Sequence, residues 1–137
     1  MDIRSLPSMV SIDKKDRKVY EELKEDSFFG SCDNKDLFFM CAGFGFFYKK
    51  RKTIEAIDGF FRASYLNDKE LGLMNAINFS AYTPVEVSNL GAKIFQLIEE
   101  YAHAGLYLMK DFINSKQWGS TDTEMEKFLL QVYDTVK

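Results

Sequence analysis

The chain has 137 residues, 46% hydrophobic and 28% charged, with only two prolines and a net charge of −3, which excludes a disordered or repetitive chain and fits one compact domain. Thirteen Phe and seven Tyr supply the apolar surface for a sizeable core. One histidine and two cysteines, with no CxxC pair, exclude a disulfide framework and a zinc site, so a reduced, cytoplasmic chain with no metal and no cofactor is expected.

The charge is unevenly divided. Residues 1–52 hold eleven Lys/Arg against nine Asp/Glu, and residues 53–137 hold seven against twelve. The basic surplus sits mainly in one run, Lys49, Lys50, Arg51 and Lys52. Residues 1–12 lack a continuous apolar segment, so no signal peptide is expected, and no apolar run reaches membrane length, so no membrane partner is expected.

In chain order, residues 8–12 (SMVSI) alternate weakly and predict a short strand with Val10 and Ile12 on its inner face and Met9 and Ser11 outward. Asp13, with Asp16 three positions on, has the chemistry of a helix cap. The helix predicted behind it, over residues 14–26, buries Val19, Tyr20 and Leu23 and leaves its charges in water. Gly30 suits a residue just past a helix end.

Asp33 or Asn34 caps a second helix running to about residue 49. Its centre, residues 37–48 (LFFMCAGFGFFY), carries no charged side chain. That stretch is too short for a bilayer, which takes about twenty residues. A helix apolar on every side must instead be covered on every side, by neighbouring helices or by a second copy. Phe38, Phe39, Phe44, Phe46 and Phe47 are therefore the expected interface with a second copy or a protein partner, and a homodimer is expected. Gly43 and Gly45 each cost about 1 kcal/mol in a helix, and close approach of another backbone is their expected use.

Residues 53–66 are ambiguous, with a bend at Gly59. Asn67 and Glu70 have capping-box spacing and open a helix with Leu71, Met74 and Ile77 on one stripe. Thr83 and Glu86 repeat the device, with Pro84 at the first helical position. The clearest helix is expected over residues 88–114, where Leu90, Ile94, Leu97, Tyr101, Ala104, Leu108 and Phe112 recur at three- and four-residue steps. Its middle (Ala102, Ala104, Gly105) is small, which again favours a close helix crossing. Beyond Gly119, Thr121 and Glu124 cap a last helix with the stripe Met125, Phe128, Leu129 and Val132. The expected fold is mainly α: one domain, with a strand-helix-helix part over residues 8–52 and a helical part over residues 53–137.

No catalytic constellation stands out, and no enzymatic activity is expected. His103 and Glu99, four residues apart on one helix face, form the one conceivable acid–base pair, yet a lone histidine on a long helix is more often a packing residue. Cys32 precedes a helix start, where a thiolate is stabilised, and Cys41 reads as a small buried hydrophobe. Gly43 and Gly45 lack the remaining residues of a phosphate loop. Four adjacent cations at residues 49–52 neutralise several phosphates and give salt-dependent binding to DNA, with Lys35 and Arg4 as weaker additions. The Phe cluster has apolar neighbours and reads as core or subunit contact in preference to a base-stacking platform.

A short strand, a charged amphipathic helix, a polar turn and an apolar helix within residues 8–52 resemble a ribbon-helix-helix module. That resemblance implies strand pairing between two copies. The outward positions Met9 and Ser11 offer no Arg, Lys, Asn or Gln to read bases. Over residues 10–115, the segments Asn34 to Phe46 (NKDLFFMCAGFGF), Phe60-Phe61-Arg62 and Glu99 to Leu106 (EEYAHAGL) resemble small proteins associated with DNA phosphorothioation (Dnd) systems of bacteria and archaea. This resemblance implies a non-catalytic accessory of a DNA-modification or anti-phage defence locus that binds DNA, a protein partner in a defence complex, or both. The alternative expectation is a pure protein-interaction subunit that docks its apolar helix on a larger enzyme and binds no nucleic acid.

Overall fold

The computed structural model describes residues 7–25 and 29–115. Its elements are β1 (Met9–Asp13), a 3-10 turn (Lys14–Asp16), α1 (Arg17–Leu23), α2 (Asn34–Phe47), β2 (Ile57–Arg62), a second 3-10 turn (Ala63–Tyr65), α3 (Asp68–Ala81), α4 (Pro84–Ser88), a third 3-10 turn (Gly91–Lys93) and α5 (Gln96–Ser115). The fold is mainly α, as the sequence implies. The helix expected behind Thr121, and Arg4, lie outside the described residues.

The N-terminal strand does not wait for a second copy. β1 pairs antiparallel with β2 of the same chain, with an irregularity between Val10 and Ser11. This strand pair takes the ambiguous residues 57–62 out of the helical part and departs from the ribbon arrangement, in which the partner strand comes from another subunit. β1 also lacks the wet face expected of it: Val10, Ser11, Ile12 and Asp13 are all buried. One side of the strand packs into the core, and α5 closes over the other.

The helix starts follow local chemistry. The Asp33 side chain accepts from the Asp36 N–H at the head of α2. Asn67 and Glu70 form a reciprocal capping box on α3, and Thr83 and Glu86 do the same on α4. Each device satisfies backbone donors that the first turn leaves unpaired. The helix expected from residue 88 begins only at Gln96. Gly91 adopts φ +54°, a left-handed conformation that stops the helical path and lets a 3-10 turn redirect the chain.

The apolar stretch of α2 beyond Lys35 and Asp36 is largely covered by the chain itself. α5 lies across it. Gly45 and Gly105 mark the crossing: a Cβ at Gly105 would collide with the Cys41 carbonyl oxygen, and one at Gly45 with the Tyr101 carbonyl oxygen. Gly43 faces open space, so only the second glycine of the pair serves the contact. Phe38 and Phe44 are buried in the chain's own core, and Phe39, Phe46 and Phe47 pack half-buried against it. Phe38 meets Phe61 edge-on at 5.4 Å, and Phe44 meets Phe112 at 5.9 Å. These five rings were expected to face a second copy, but α5 and the strand pair already cover Phe38 and Phe44. No helix among the described residues is long and apolar enough to cross a membrane.

Candidate functional site

The basic run forms the turn that leaves α2. Lys49 adopts φ +57°; its N–H bonds the Phe46 carbonyl at 3.2 Å, and the Lys50 N–H bonds the Gly45 carbonyl at 2.8 Å. This pair of bonds ends a helix in a Schellman motif, with a lysine where glycine usually stands. The Lys52 N–H then bonds the Glu100 carbonyl at 3.1 Å, fastening the turn to α5. Lys49, Lys50, Arg51 and Lys52 all have exposed side chains. Among the described residues, one long ion pair touches them, Arg51 Nη1 to Glu100 Oε1 at 3.9 Å. The backbone is therefore fixed while the cations face solvent.

Lys35 does not join them. Its ammonium is held by the Glu70 carboxylate at 3.0 Å and the Tyr65 carbonyl at 3.1 Å, which ties the head of α2 to α3. Arg62 is exposed at the end of β2 and lines two adjoining clefts of about 550 and 690 Å³ with Met9.

A second polar group lies inside the protein. His103 on α5 does not pair with Glu99 as the spacing proposed. Its Nδ1 sits 2.5 Å from Asp16 Oδ2, and the Tyr107 hydroxyl donates to Asp16 Oδ1 at 2.8 Å. On the other side of the ring, Nε2 is buried without a hydrogen-bond partner, with Asp13 Oδ2 3.9 Å away. Asp13, Asp16 and His103 are each no more than 2% exposed. Asp16 therefore corrects the expectation that the first helix leaves its charges in water.

Burial pushes the Asp16 carboxyl above the ordinary aspartate range, although donations from Tyr107 and His103 oppose the rise. For Asp13 burial also pushes upward, but the N–H groups of Glu55 and Lys15 outweigh it and hold the carboxyl below that range. Glu99 accepts the Ser11 N–H at 2.6 Å, so it docks β1 on α5. Burial raises Glu99 to about 7 against that hydrogen bond, and the charge of Glu100 adds to the rise.

The cysteines are quiet. Burial pushes the Cys41 thiol up to about 12. Cys32 is raised as well, by burial and by the carboxylates of Asp36 and Asp33 against the charge of Lys24, the reverse of the lowering expected at a helix start. No group of described residues has the make-up of a metal site.

Sequence reasoning missed Asp13, Asp16 and Tyr107 as partners of His103. Tyr107 could have been found, being four residues from His103 on one helix face. Asp16 lies 87 positions away and had no signal. Neither of the two clefts is lined by His103, Asp13, Asp16 or Tyr107. In comparisons with protein-family models, curated proteins and solved structures, nothing matches this chain.

Proposed function

We propose that this protein is a non-catalytic accessory that contacts the phosphates of duplex DNA through Lys49, Lys50, Arg51 and Lys52. The observation that carries this reading is that these exposed cations stand on a backbone tied at both ends, to α2 and to α5. A preorganised cationic turn loses little conformational freedom on meeting phosphate, so more of its electrostatic attraction survives as affinity. Four cations on one turn give backbone contact without base reading, hence affinity with little sequence preference. The resemblance of residues 10–115 to Dnd-associated proteins supports reading such an accessory as part of a DNA-modification or anti-phage system. A non-catalytic role fits the burial of the chain's only histidine away from both clefts.

Converting Lys49, Lys50, Arg51 and Lys52 to Gln is expected to weaken duplex binding by at least about tenfold at low salt and to flatten its salt dependence. Gel shifts over a salt series check this. Undiminished binding by the quadruple variant removes the assignment.

One observation favours a second reading, a protein-interaction subunit. Residues 71–85 contain no charged side chain, yet Leu73, Phe79 and Val85 are 49%, 53% and 69% exposed. Exposed apolar side chains of this kind fit a protein partner. Under this reading Phe79→Lys releases a partner that the quadruple Gln variant retains, measured by co-purification of both variants with the same partner.

A further inference from the structure

One face of α3 is left bare by the rest of the chain. Met74, Ile77 and Asn78 turn inward, and the Asn78 side-chain amide donates to the Ile94 carbonyl at 3.0 Å. On the opposite side Lys69, Gly72, Leu73, Ala76, Phe79 and Ser80 are all exposed. At about 100° per residue these six fall within about 60° of Ala76 on either side, so they form one stripe. Below Lys69 that stripe carries no charge.

Gly72 has no use inside the described chain. A Cβ there would meet nothing within 4 Å, although glycine costs about 1 kcal/mol in a helix interior. Gly45 and Gly105 are different, because each lets a backbone approach.

We propose that this stripe pairs with the same stripe of a second copy, the two α3 helices crossing antiparallel about a two-fold axis at Ala76. This names the partner in the protein-interaction reading above and rests on it; the DNA-contact reading is independent of it.

The argument for a second copy is that the stripe complements itself. A two-fold axis at Ala76 sets positions equally far before and after it against one another. Leu73 then packs on the partner's Phe79, and Gly72 lies against the partner's Ser80, each contact being made twice. Lys69 comes opposite the partner's Thr83, whose capping-box mate is the exposed Glu86. A cation therefore meets a carboxylate at each end of the crossing. Gly72, Ala76 and Ser80 make up one four-residue row, and two such rows interlock at about −50° in the commonest helix packing. Their small side chains let the helices come close. A 14-residue helix is about 21 Å long, so the contact is small and the dimer is weak, with a dissociation constant on the order of 10 µM.

Sedimentation equilibrium of the full chain tests this. The mass is expected to rise from 15.9 kDa towards twice that value between about 1 and 200 µM. Ala76→Arg sets two cations on the axis and is expected to hold the protein monomeric over the same range. Its thermal melt at low concentration should change little, because Ala76 is exposed. Gly72→Ala separates the crossing from the fold: it is expected to raise the melting temperature of the dilute protein yet weaken association on the order of tenfold. Under mild oxidation, Ala76→Cys should give a disulfide-linked dimer above the wild-type level. Asp68→Cys, about 80° round the helix and two turns away, should not. A mass of 15.9 kDa throughout, or association that Ala76→Arg leaves intact, overturns the proposal. If the chain stays monomeric while Phe79→Lys still releases a different protein in co-purification, the second copy is wrong and the protein-interaction reading stands.

Discussion

Gly105→Ala is expected to destabilise the protein by about 3 kcal/mol, the upper end of the usual range for overpacking. A single added methyl meets the Cys41 carbonyl and the Gly45 amide nitrogen, both backbone atoms of α2, so no rotamer change relieves the collision. The two helices must separate, and the rings packed around their crossing lose contact with them. A loss of this size lowers the melting temperature by on the order of 10 °C in a domain of this length. Gly43→Ala is the internal control. It stands in α2, the helix that α5 crosses, two residues before Gly45; its Cβ would meet nothing within 4 Å, and alanine is the better helix former by about 1 kcal/mol. Opposite signs from these two Gly→Ala changes, one on each helix, in thermal and urea melts, would establish the crossing. Equal effects would contradict it.

The second large effect belongs to the buried cluster. His103→Leu leaves Asp16 with only the Tyr107 donor and leaves Asp13 facing an aliphatic side chain. Removing the partner of a buried hydrogen-bonded carboxyl costs about 3 kcal/mol, the upper end for an unsatisfied buried group. Asp16→Asn removes the charge but keeps an acceptor for Tyr107, so its cost is smaller. The two changes should not add. Once His103 is gone, neutralising Asp16 removes an uncompensated charge, and the coupling in a double-mutant cycle should exceed about 1 kcal/mol. Strictly additive losses would mean that the 2.5 Å contact contributes nothing to stability.

How much of this was legible in the sequence depends on how far apart the interacting residues lie. The capping boxes at Asn67 and Thr83 close over three residues, and both were readable from spacing alone. The apolar period of α5 and the small residues at its crossing with α2 were readable for the same reason. The start of α5 was not, because the apolar period runs through Leu90 and Ile94 while the left-handed Gly91 breaks the backbone beneath it. Residues 57–62 become a strand only through pairing with β1, some fifty positions earlier, and no local pattern records that.

The candidate site divides in the same way. The cationic run is contiguous and was visible at once. What fixes its conformation was not visible, since Glu55 reaches Asp13 across 42 positions and Lys52 bonds a carbonyl on α5. The chemistry of His103 was misjudged for the same reason. Glu99 was its neighbour by helical spacing, but the folded chain assigns Glu99 to the Ser11 amide and His103 to Asp16. The Phe-rich helix shows where composition alone stops. It demanded cover on all sides, and composition could not say that α5 would supply it within one chain.

The central claim is that the turn fastened between α2 and α5 is the surface that meets phosphate. Titrating a short duplex into isotope-labelled protein at low salt and following backbone amide signals tests it most directly. The account predicts shifts concentrated at Lys49, Lys50, Arg51, Lys52 and the adjoining Glu100, reversed by added salt. Shifts centred on Leu73, Phe79 and Val85, or no shifts at all, would contradict it.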